Sequence, residues 1–250
     1  MAVFKEIFDY LESFFPKSDA EPWDQDGMDI CINMFSEVSK IVLALDVTSS
    51  VIEYAKEIGA NLIITHHPVL FDKMNVINGS TAEGKKIIAL IQNGISCISY
   101  HTRLDKHEGG VNDSLCNKLG LKKDYSLYNG LVNVCNIKET DFESFCIHVE
   151  KSLGIKVRAF NNNGKAKKIA LCGGGGKSCI DGAYFDGADT YITGEVDHMA
   201  LINSAEYGIN LILASHYQTE ALVLPYLKNV INSKFPEISV HIKELEGLSK

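Results

Sequence analysis

Residues 39–67, SKIVLALDVTSSVIEYAKEIGANLIITHH, decide the fold of this chain. One apolar run ends at Asp46, two hydroxyl residues then supply helix caps, and a helical segment leads to a second apolar run, Leu62–Ile64. Strand, helix and strand in this order predict a βαβ unit of a parallel sheet. Open α/β sheets bind ligands beyond the carboxyl ends of their strands, which is where His66 and His67 stand.

Two adjacent imidazoles can serve a metal site directly, although neighbouring side chains of a regular strand point to opposite faces. His66 and His67 can converge on one site only if the chain turns there, as Pro68 would make it do. A histidine pair before proline also occurs in loops by chance. The dipeptide alone therefore leaves ligation and a plain loop equally open.

Composition narrows the class of protein. The chain has 250 residues, 46% of them hydrophobic, which predicts one large or two modest soluble domains. Its net charge of -8, with basic residues spread along the chain, argues against nucleic-acid binding as the main function. No apolar run has membrane-spanning length, and the amphipathic N-terminus is no signal peptide. Seven cysteines without a C-x-x-C pair are typical of buried thiols in a reducing cytoplasm.

Two further predicted strand ends carry ligand-type side chains. A helix over 81–92 and a strand over 95–100 lead to His101 and Asp105. A strand over 210–214 leads to a loop with His216 and then to a long helix that contains or follows Glu220. Residues 109–121 predict a short helix capped by Asn112 or Asp113. The ligand-type residues at the three strand ends are His66, His67, His101, Asp105, His216 and Glu220.

This set of imidazoles and carboxylates predicts a metal site. Mixed ligands of this kind suit Zn, Fe, Mn or Ni better than Ca, and their excess over the four needed by one zinc indicates two divalent ions per subunit. Such a pair can activate a shared water. His216 and Glu220, four positions apart, share one face if their helix begins at or before His216.

The phrases THHPVLF (65–71), SYHTRLDKHEGGVND (99–113), ITGE (192–195) and SHYQTE (215–220) resemble the Nif-three-like family, also called GTP cyclohydrolase I type 2 homologs, over essentially the whole chain. The resemblance implies two interlinked α/β lobes with mixed, mostly parallel sheets and a metal cleft between them. It also implies a homohexamer built as a trimer of dimers. We expect residues 1–125, joined by 223–250, to form the first lobe and 126–222 the second.

Carried over position by position, the resemblance implies a ligand set with Glu220 as the bridging ligand. His101 matches a recurrent histidine that ligates or only lines the site, and Ser215 stands where glycine is common. The segment EPWDQDGMDI (21–30) resembles an early Trp-Asp-x-x-Gly phrase but departs from it after Gly27. The metal ligands implied are His66, His67, Asp105, His216 and Glu220.

A glycine run and an acidic residue at a strand end allow more than one interpretation. The run LCGGGGKS (171–178) is not a P-loop, because Leu171 stands where glycine is required; Gly173–Gly176 form either a phosphate contact or, as we favour, a tight turn. Glu195 ends a predicted strand and is either a proton-transfer group or the partner of a ligating histidine.

The sequence therefore predicts a cytoplasmic, dinuclear metal-dependent hydrolase of a nucleotide-like or phosphorylated small molecule. The activity that the family name implies, opening of the GTP imidazole ring with loss of formate, would use Glu195 or His101 for proton transfer. The alternatives are a metal-binding regulatory or interaction protein without catalysis, and a two-metal phosphoesterase. No membrane or nucleic acid is expected as a main partner.

Overall fold

A computed structural model describes residues 2–245 of the chain. The described residues form two compact units. Unit 1 comprises residues 2–104 and 224–245, and unit 2 comprises residues 105–223.

Helices and strands alternate along most of the chain. The helices are α1 (Phe4–Phe14), α2 (Ser49–Ile58), α3 (Ala82–Gln92), α4 (Thr102–Lys106), α5 (Val111–Lys118), α6 (Phe142–Leu153), α7 (Ile180–Phe185), α8 (His198–Tyr207), α9 (His216–Glu220) and α10 (Leu224–Lys234). The strands are β1 (Gly27–Ile30), β2 (Lys40–Ala44), β3 (Leu62–Thr65), β4 (Ser96–Ser99), β5 (Tyr125–Leu127), β6 (Val132–Asp141), β7 (Arg158–Phe160), β8 (Lys165–Cys172), β9 (Thr190–Thr193), β10 (Asn210–Leu213) and β11 (Ser239–Ile242).

Unit 1 contains a sheet in the order β1-β4-β3-β2-β11. Strands β11, β2, β3 and β4 are parallel, and β1 is antiparallel to β4. The βαβ unit predicted for residues 39–67 is confirmed as β2, α2 and β3. Ala44, Thr65 and Ser99 lie in register, so three strands end at the same edge. The residues that follow these strands are thereby brought together.

Local sequence explains the βαβ unit. Thr48 caps α2, because its side chain accepts a hydrogen bond from the Val51 amide. Gly59 ends the helix in a left-handed conformation with φ of 71°, which glycine adopts without steric cost. All four residues of β3 and of β4 are buried, as expected for central parallel strands.

Unit 2 contains a mixed sheet in the order β5-β6-β8-β9-β10-β7. Its central strands β8, β9 and β10 are parallel, with Cys172, Thr193 and Leu213 in register where they end. Apolar clusters cover both faces of this sheet: one includes residues of α5 and α6, and the other residues of α7 and α8. The predicted α/β fold with mixed, mostly parallel sheets is confirmed.

Some local predictions were wrong. Helix α5 begins at Val111 with Gly110 as its N-cap, so neither Asn112 nor Asp113 caps it. Helices α7 and α8 had no sequence prediction. Within residues 2–245, no helix combines the length and apolarity needed to cross a membrane.

Asp29 on β1 makes the stability of unit 1 depend on pH. Burial raises the pKa of its carboxyl to about 7. The unfolded chain releases this proton near pH 4, whereas the folded chain keeps it until about pH 7. Between these values the folded state binds more protons, so the free energy of unfolding falls as the pH rises and stays lower above pH 7.

The variant Asp29→Asn is therefore expected to raise the free energy of unfolding at about pH 8 by on the order of 2–4 kcal/mol, with little change near pH 4. Its amide oxygen can still accept the hydrogen bond that Val69 donates to Asp29. Urea unfolding in the presence of a chelator measures the difference. Asp9→Asn, at an exposed position, is the control; equal effects of Asp29→Asn at both pH values would contradict the assignment.

Candidate metal centre

Three imidazoles from unit 1 meet beyond the ends of β3 and β4. We call His66, His67 and His101 the histidine cluster. Their ring centroids are 4.9 to 5.5 Å apart, and one nitrogen from each ring lies within 4.8 Å of the others. His66 is fully buried, and the other two are partly buried. Three nitrogens at this spacing can hold one ion or be shared between neighbouring ions.

Each ring of the histidine cluster is oriented by an acceptor at its Nδ1. His66 Nδ1 donates to the carbonyl oxygen of Tyr100 at 2.9 Å, and His67 Nδ1 donates to Asp46 Oδ1 at 2.8 Å. His101 Nδ1 lies 3.1 Å from Asp24 Oδ1. An acceptor at Nδ1 fixes the proton there and leaves the lone pair of Nε2 for a metal. This repeated pattern is characteristic of metal-binding histidines.

Two buried aspartates hold the chain at His101. Asp24 accepts hydrogen bonds from the Thr102 amide and hydroxyl as well as from His101. Burial alone would raise the pKa of Asp24, but the hydrogen bonds from His101 and Thr102 hold it well below its usual range. Asp26 accepts from the His101 amide at 2.8 Å and from Arg103 Nε at 2.9 Å. The carboxylates therefore position both the ring and the backbone of His101.

Two exposed aromatic side chains flank the same imidazole. The ring centroids of Trp23 and Phe71 lie 5.9 and 6.0 Å from that of His101, and 6.2 Å from each other. Trp23 is 56% exposed and Phe71 46% exposed. Large aromatic surfaces in contact with water beside a polar cluster are suited to binding a planar ring.

Unit 2 carries a second set of ligand-type groups, which we call the carboxylate cluster: Asp105, Glu195, His216 and Glu220. His216 Nε2 lies 3.0 Å from Glu220 Oε2, and His216 Nδ1 lies 3.1 Å from Glu195 Oε1. A carboxylate oxygen of Asp105 lies within 4.8 Å of one from Glu220. Helix α9 begins at His216, so His216 and Glu220, four positions apart, share one helix face.

Backbone conformation delivers His216 to this cluster. Ser215, immediately before it, has φ of 66°, in the left-handed region that favours glycine. The resemblance implied a glycine here, and this torsion is the physical reason. The backbone of Ser215 is therefore strained. This conformation allows α9 to begin at His216.

Two glycines make room for the carboxylate cluster. A Cβ on Gly174, whose φ is 59°, would lie 1.9 Å from Glu220 Oε1 and 3.0 Å from His216 Nε2. A Cβ on Gly194 would lie 2.7 Å from the His216 Cα and from the Gly174 carbonyl oxygen. Only residues without a side chain leave space for His216 and Glu220 at these places.

The glycine run itself is engaged within unit 2. The Gly173 amide donates to Asn112 Oδ1, the Gly174 amide to Thr219 Oγ1 and the Gly176 amide to Thr193 Oγ1. Three of the four amides of the run are thus committed to internal acceptors. This arrangement favours the tight turn over the phosphate contact that the sequence also allowed.

The donor chemistry fits divalent transition metals. The histidine cluster offers imidazole nitrogens, and the carboxylate cluster offers carboxylates with one imidazole, which together match Zn, Fe, Mn or Ni and not Ca. The absence of a Cβ at Gly174 leaves room for Glu220 Oε1 beside His216. His/Asp/Glu groups of the chain could therefore hold metal ions.

Sequence reasoning missed the residues that orient the histidines. Asp46 follows β2 by two positions, as His66 and His67 follow β3, and this position at a strand end was an available signal. Asp24 and Asp26 lie in the phrase that departs from the family pattern after Gly27. Their partners are 75 to 78 positions away along the chain, so no local pattern could pair them.

Fold and site thus define an α/β protein with candidate metal-binding clusters at the carboxyl ends of its strands. A family model, Duf34/NIF3 (NGG1p interacting factor 3), matches residues 2–247. The chain belongs to this family.

Similar proteins match this chain over most of its length and of their own. A protein of Clostridium perfringens named GTP cyclohydrolase 1 type 2 homolog is 35% identical over 88% of this chain and 87% of its own. A protein of the same name from Methanocaldococcus jannaschii is 32% identical over 92% and 94%. The solved structure of reduced HcgD from Methanocaldococcus jannaschii matches with a TM-score of 0.86 and 30% identity over 98% of each chain. A Bacillus cereus protein related to NIF3, at 22% identity over 99% and 98%, shares the fold with a TM-score of 0.90.

The close contact of Gly174 with the carboxylate cluster leads to a specific prediction. Gly174→Ala is expected to weaken metal binding about 10- to 100-fold, because the new methyl group must displace Glu220 or His216. Metal titration measures the affinity, and circular dichroism checks that the variant is folded. Gly175→Ala is the matched control, since a Cβ there meets no atom within 4 Å and the φ of Gly175 is not in the left-handed region. Equal affinities of the two variants would contradict the prediction.

Proposed function

We propose that this chain is a metal-dependent hydrolase of a nucleotide-like or other phosphorylated small molecule, with two divalent ions drawn from Zn, Fe, Mn and Ni. The observation that carries the proposal is the histidine cluster, whose three rings each have an acceptor at Nδ1. When bound, such ions supply Lewis acidity and activate water. The residues of the chain supply ligands, orientation and proton transfer.

We assign the six ligand positions to the two clusters. His101 joins His66 and His67 as a ligand, because its Nδ1 is held by a carboxylate in the same way as that of His67. Proton transfer by His101 would need a ring nitrogen that can exchange its proton, so the proposal gives that role to Glu195. The ligands proposed for the carboxylate cluster are Asp105, His216 and Glu220.

Glu195 is the proposed proton-transfer group. Its Oε1 lies 3.1 Å from His216 Nδ1, and its side chain is 67% exposed. It can therefore orient His216 and still exchange protons with water and with a bound molecule. Removal of Glu195 would lower turnover more than metal content, because the proposed ligand atom of His216 is Nε2.

Trp23 and Phe71 support a substrate with a planar ring. Stacking of a base on an aromatic side chain contributes on the order of 1–3 kcal/mol. The names of the relatives point in the same direction, because a GTP cyclohydrolase acts on a purine ring. The proposed chemistry is hydrolytic opening of such a ring with release of formate.

The proposal is tested by incubating metal-loaded protein with GTP and with a panel of phosphoesters, and by measuring formate and phosphate. Chelated protein is the control. Formate from GTP is the expected product. Phosphate without formate would instead indicate a two-metal phosphoesterase.

Trp23→Ala is expected to raise KM about tenfold with little change in kcat. Phe35→Ala, at another exposed aromatic residue of unit 1, should leave KM unchanged.

A second candidate function is a metal-binding regulatory protein that acts through protein partners. The family description, NGG1p interacting factor 3, favours this alternative. A catalytic site keeps an open coordination position, whereas a structural site is closed. Bound metal without formate or phosphate release in either assay would support the regulatory role.

Location and assembly complete the proposal. None of the seven cysteines, all of which lie among residues 2–245, forms a disulfide. This supports a location in the reducing cytoplasm. The homohexamer rests on the family resemblance, and light scattering would test it: a monomeric mass in solution would contradict it.

A further inference from the structure

Two cysteines of unit 2 lie side by side in its core. Cys116 on α5 and Cys135 on β6 have their Sγ atoms 3.6 Å apart, and their exposed fractions are 2% and 0%. Both belong to the apolar cluster on one face of the unit 2 sheet. A disulfide needs its sulfurs about 2.0 Å apart, so the two sulfurs must move closer together to form one.

Cys116 also reaches a pocket at the surface of unit 2. The pocket has a volume of about 320 Å³. It is large enough for a small oxidant and several water molecules. Its lining residues are Asp113, Cys116, Asn117, Leu121, Lys122 and Lys123. Cys135 does not line this pocket.

Polar neighbours distinguish the two thiols. The hydrogen bond from Cys135 lowers the pKa of Cys116, burial opposes it, and the Asn133 amide, 3.7 Å from the sulfur, lowers the pKa further. The charge of Lys123 acts in the same direction and that of Asp113 against it. The same sulfur–sulfur contact and burial raise the pKa of Cys135 well above its usual range. Cys116, which lines the pocket and contacts the Asn133 amide, is therefore the more readily ionised of the two thiols.

We propose that Cys116 and Cys135 form a redox-active pair, in which a peroxide entering the pocket oxidises Cys116 and Cys135 then closes a reversible disulfide. In the first step the Cys116 thiolate attacks one peroxide oxygen, the O–O bond breaks, and the departing hydroxide leaves as water after taking a proton from solvent. In the second step the sulfur of Cys135 displaces the hydroxyl of the sulfenic acid. The S–S bond forms, the S–O bond breaks, and the hydroxyl leaves as water with the thiol proton.

The balance of the two steps is simple. Two thiols and one hydrogen peroxide give one disulfide and two waters, so the peroxide takes up the two electrons that the sulfurs lose. A dithiol reductant reverses the reaction by thiol–disulfide exchange. Neither cysteine belongs to the histidine cluster or the carboxylate cluster, so this reactivity is independent of the proposed hydrolase activity.

Cys146 provides an internal control. It is only partly buried, and burial, together with the charge of Glu150, raises its pKa to about 11. Oxidation that follows exposure alone would modify Cys146 before Cys116. Oxidation that depends on the thiolate fraction would modify Cys116 before Cys146.

The test treats the zinc-loaded full chain with hydrogen peroxide, blocks remaining thiols with an alkylating reagent and maps the peptides by mass spectrometry. We expect a linked Cys116–Cys135 peptide pair to form at least about tenfold faster than Cys146 is oxidised, and to be lost on reduction. In Cys135→Ser, which keeps a hydrogen-bond donor beside Cys116 but cannot form the disulfide, Cys116 should stop at a sulfenic acid that dimedone traps. In wild type, recovery of both cysteines as alkylated thiols while Cys146 is oxidised would overturn the proposal, whether or not the variant folds.

Discussion

Alanine at His66 or Glu220 is expected to remove most of the bound metal. Each substitution deletes a proposed ligand, and loss of even an outer partner of a ligand weakens metal binding about 10- to 100-fold, so a ligand itself should cost at least the upper end of that range. His66 is held by the Tyr100 carbonyl oxygen, and Glu220 lies against His216. Both side chains are almost fully buried, so they are fixed in place before any ion binds.

Elemental analysis after dialysis against a fixed concentration of free metal measures this effect. His198→Ala is the matched control, because His198 is exposed at the start of α8 and belongs to neither cluster. Circular dichroism separates metal loss from unfolding. If His66→Ala and Glu220→Ala retain as much metal as His198→Ala, the proposed ligand set is wrong.

Asp26→Ala is expected to destabilise the protein by about 3–5 kcal/mol, the cost of breaking a buried ion pair from one side. The Asp26 and Arg103 side chains are both fully buried, with the carboxylate 2.9 Å from Arg103 Nε. Arg103 also pairs with Glu12 and donates to the Phe15 carbonyl oxygen, so its charge stays buried when Asp26 is removed. The His101 amide loses its acceptor as well, which should weaken metal binding.

Urea unfolding of the metal-free protein measures the first effect. Asp9→Ala breaks an exposed ion pair with Lys5 and should cost no more than about 0.5 kcal/mol. Asp26→Asn keeps an acceptor and removes only the charge, so its loss should lie between those of the two alanine variants. A loss below about 1 kcal/mol for Asp26→Ala would show that Arg103 relaxes to another partner.

The sequence predicted well wherever the signal was local. The capping hydroxyl of Thr48, the buried run of β3 and the end of α3 at Gln92 depend on residues close to them in sequence. A run of branched apolar residues followed by histidines predicts both a parallel strand and the side chains at its end. The histidine cluster could therefore be anticipated from His66, His67 and His101.

The sequence predicted poorly wherever a distant partner decides the outcome. Asn112 could have capped α5, but its side chain accepts from the Gly173 amide, and Gly110 caps the helix. Asp24 and Asp26 have no local pattern, because only folding brings them to Thr102 and Arg103. Helix α7 is six residues long and contains Gly182, which weakens any helical periodicity.

Glycines show the same limit at the carboxylate cluster. The run Gly173–Gly176 allowed either a phosphate contact or a tight turn. In the folded protein, position 174 has no room for a side chain, because Glu220 and His216 lie against Gly174. Such a reason becomes visible only when residues more than 40 positions apart are in place.

The central claim, that this chain binds divalent metal through these clusters, is tested most directly by counting metal in the wild-type protein. The protein is stripped with a chelator, reloaded separately with Zn, Fe, Mn or Ni, freed of unbound metal and analysed for metal per chain. We predict about two ions per chain for at least one of these metals. Wild-type protein that remains folded and retains none of the four metals would contradict the account.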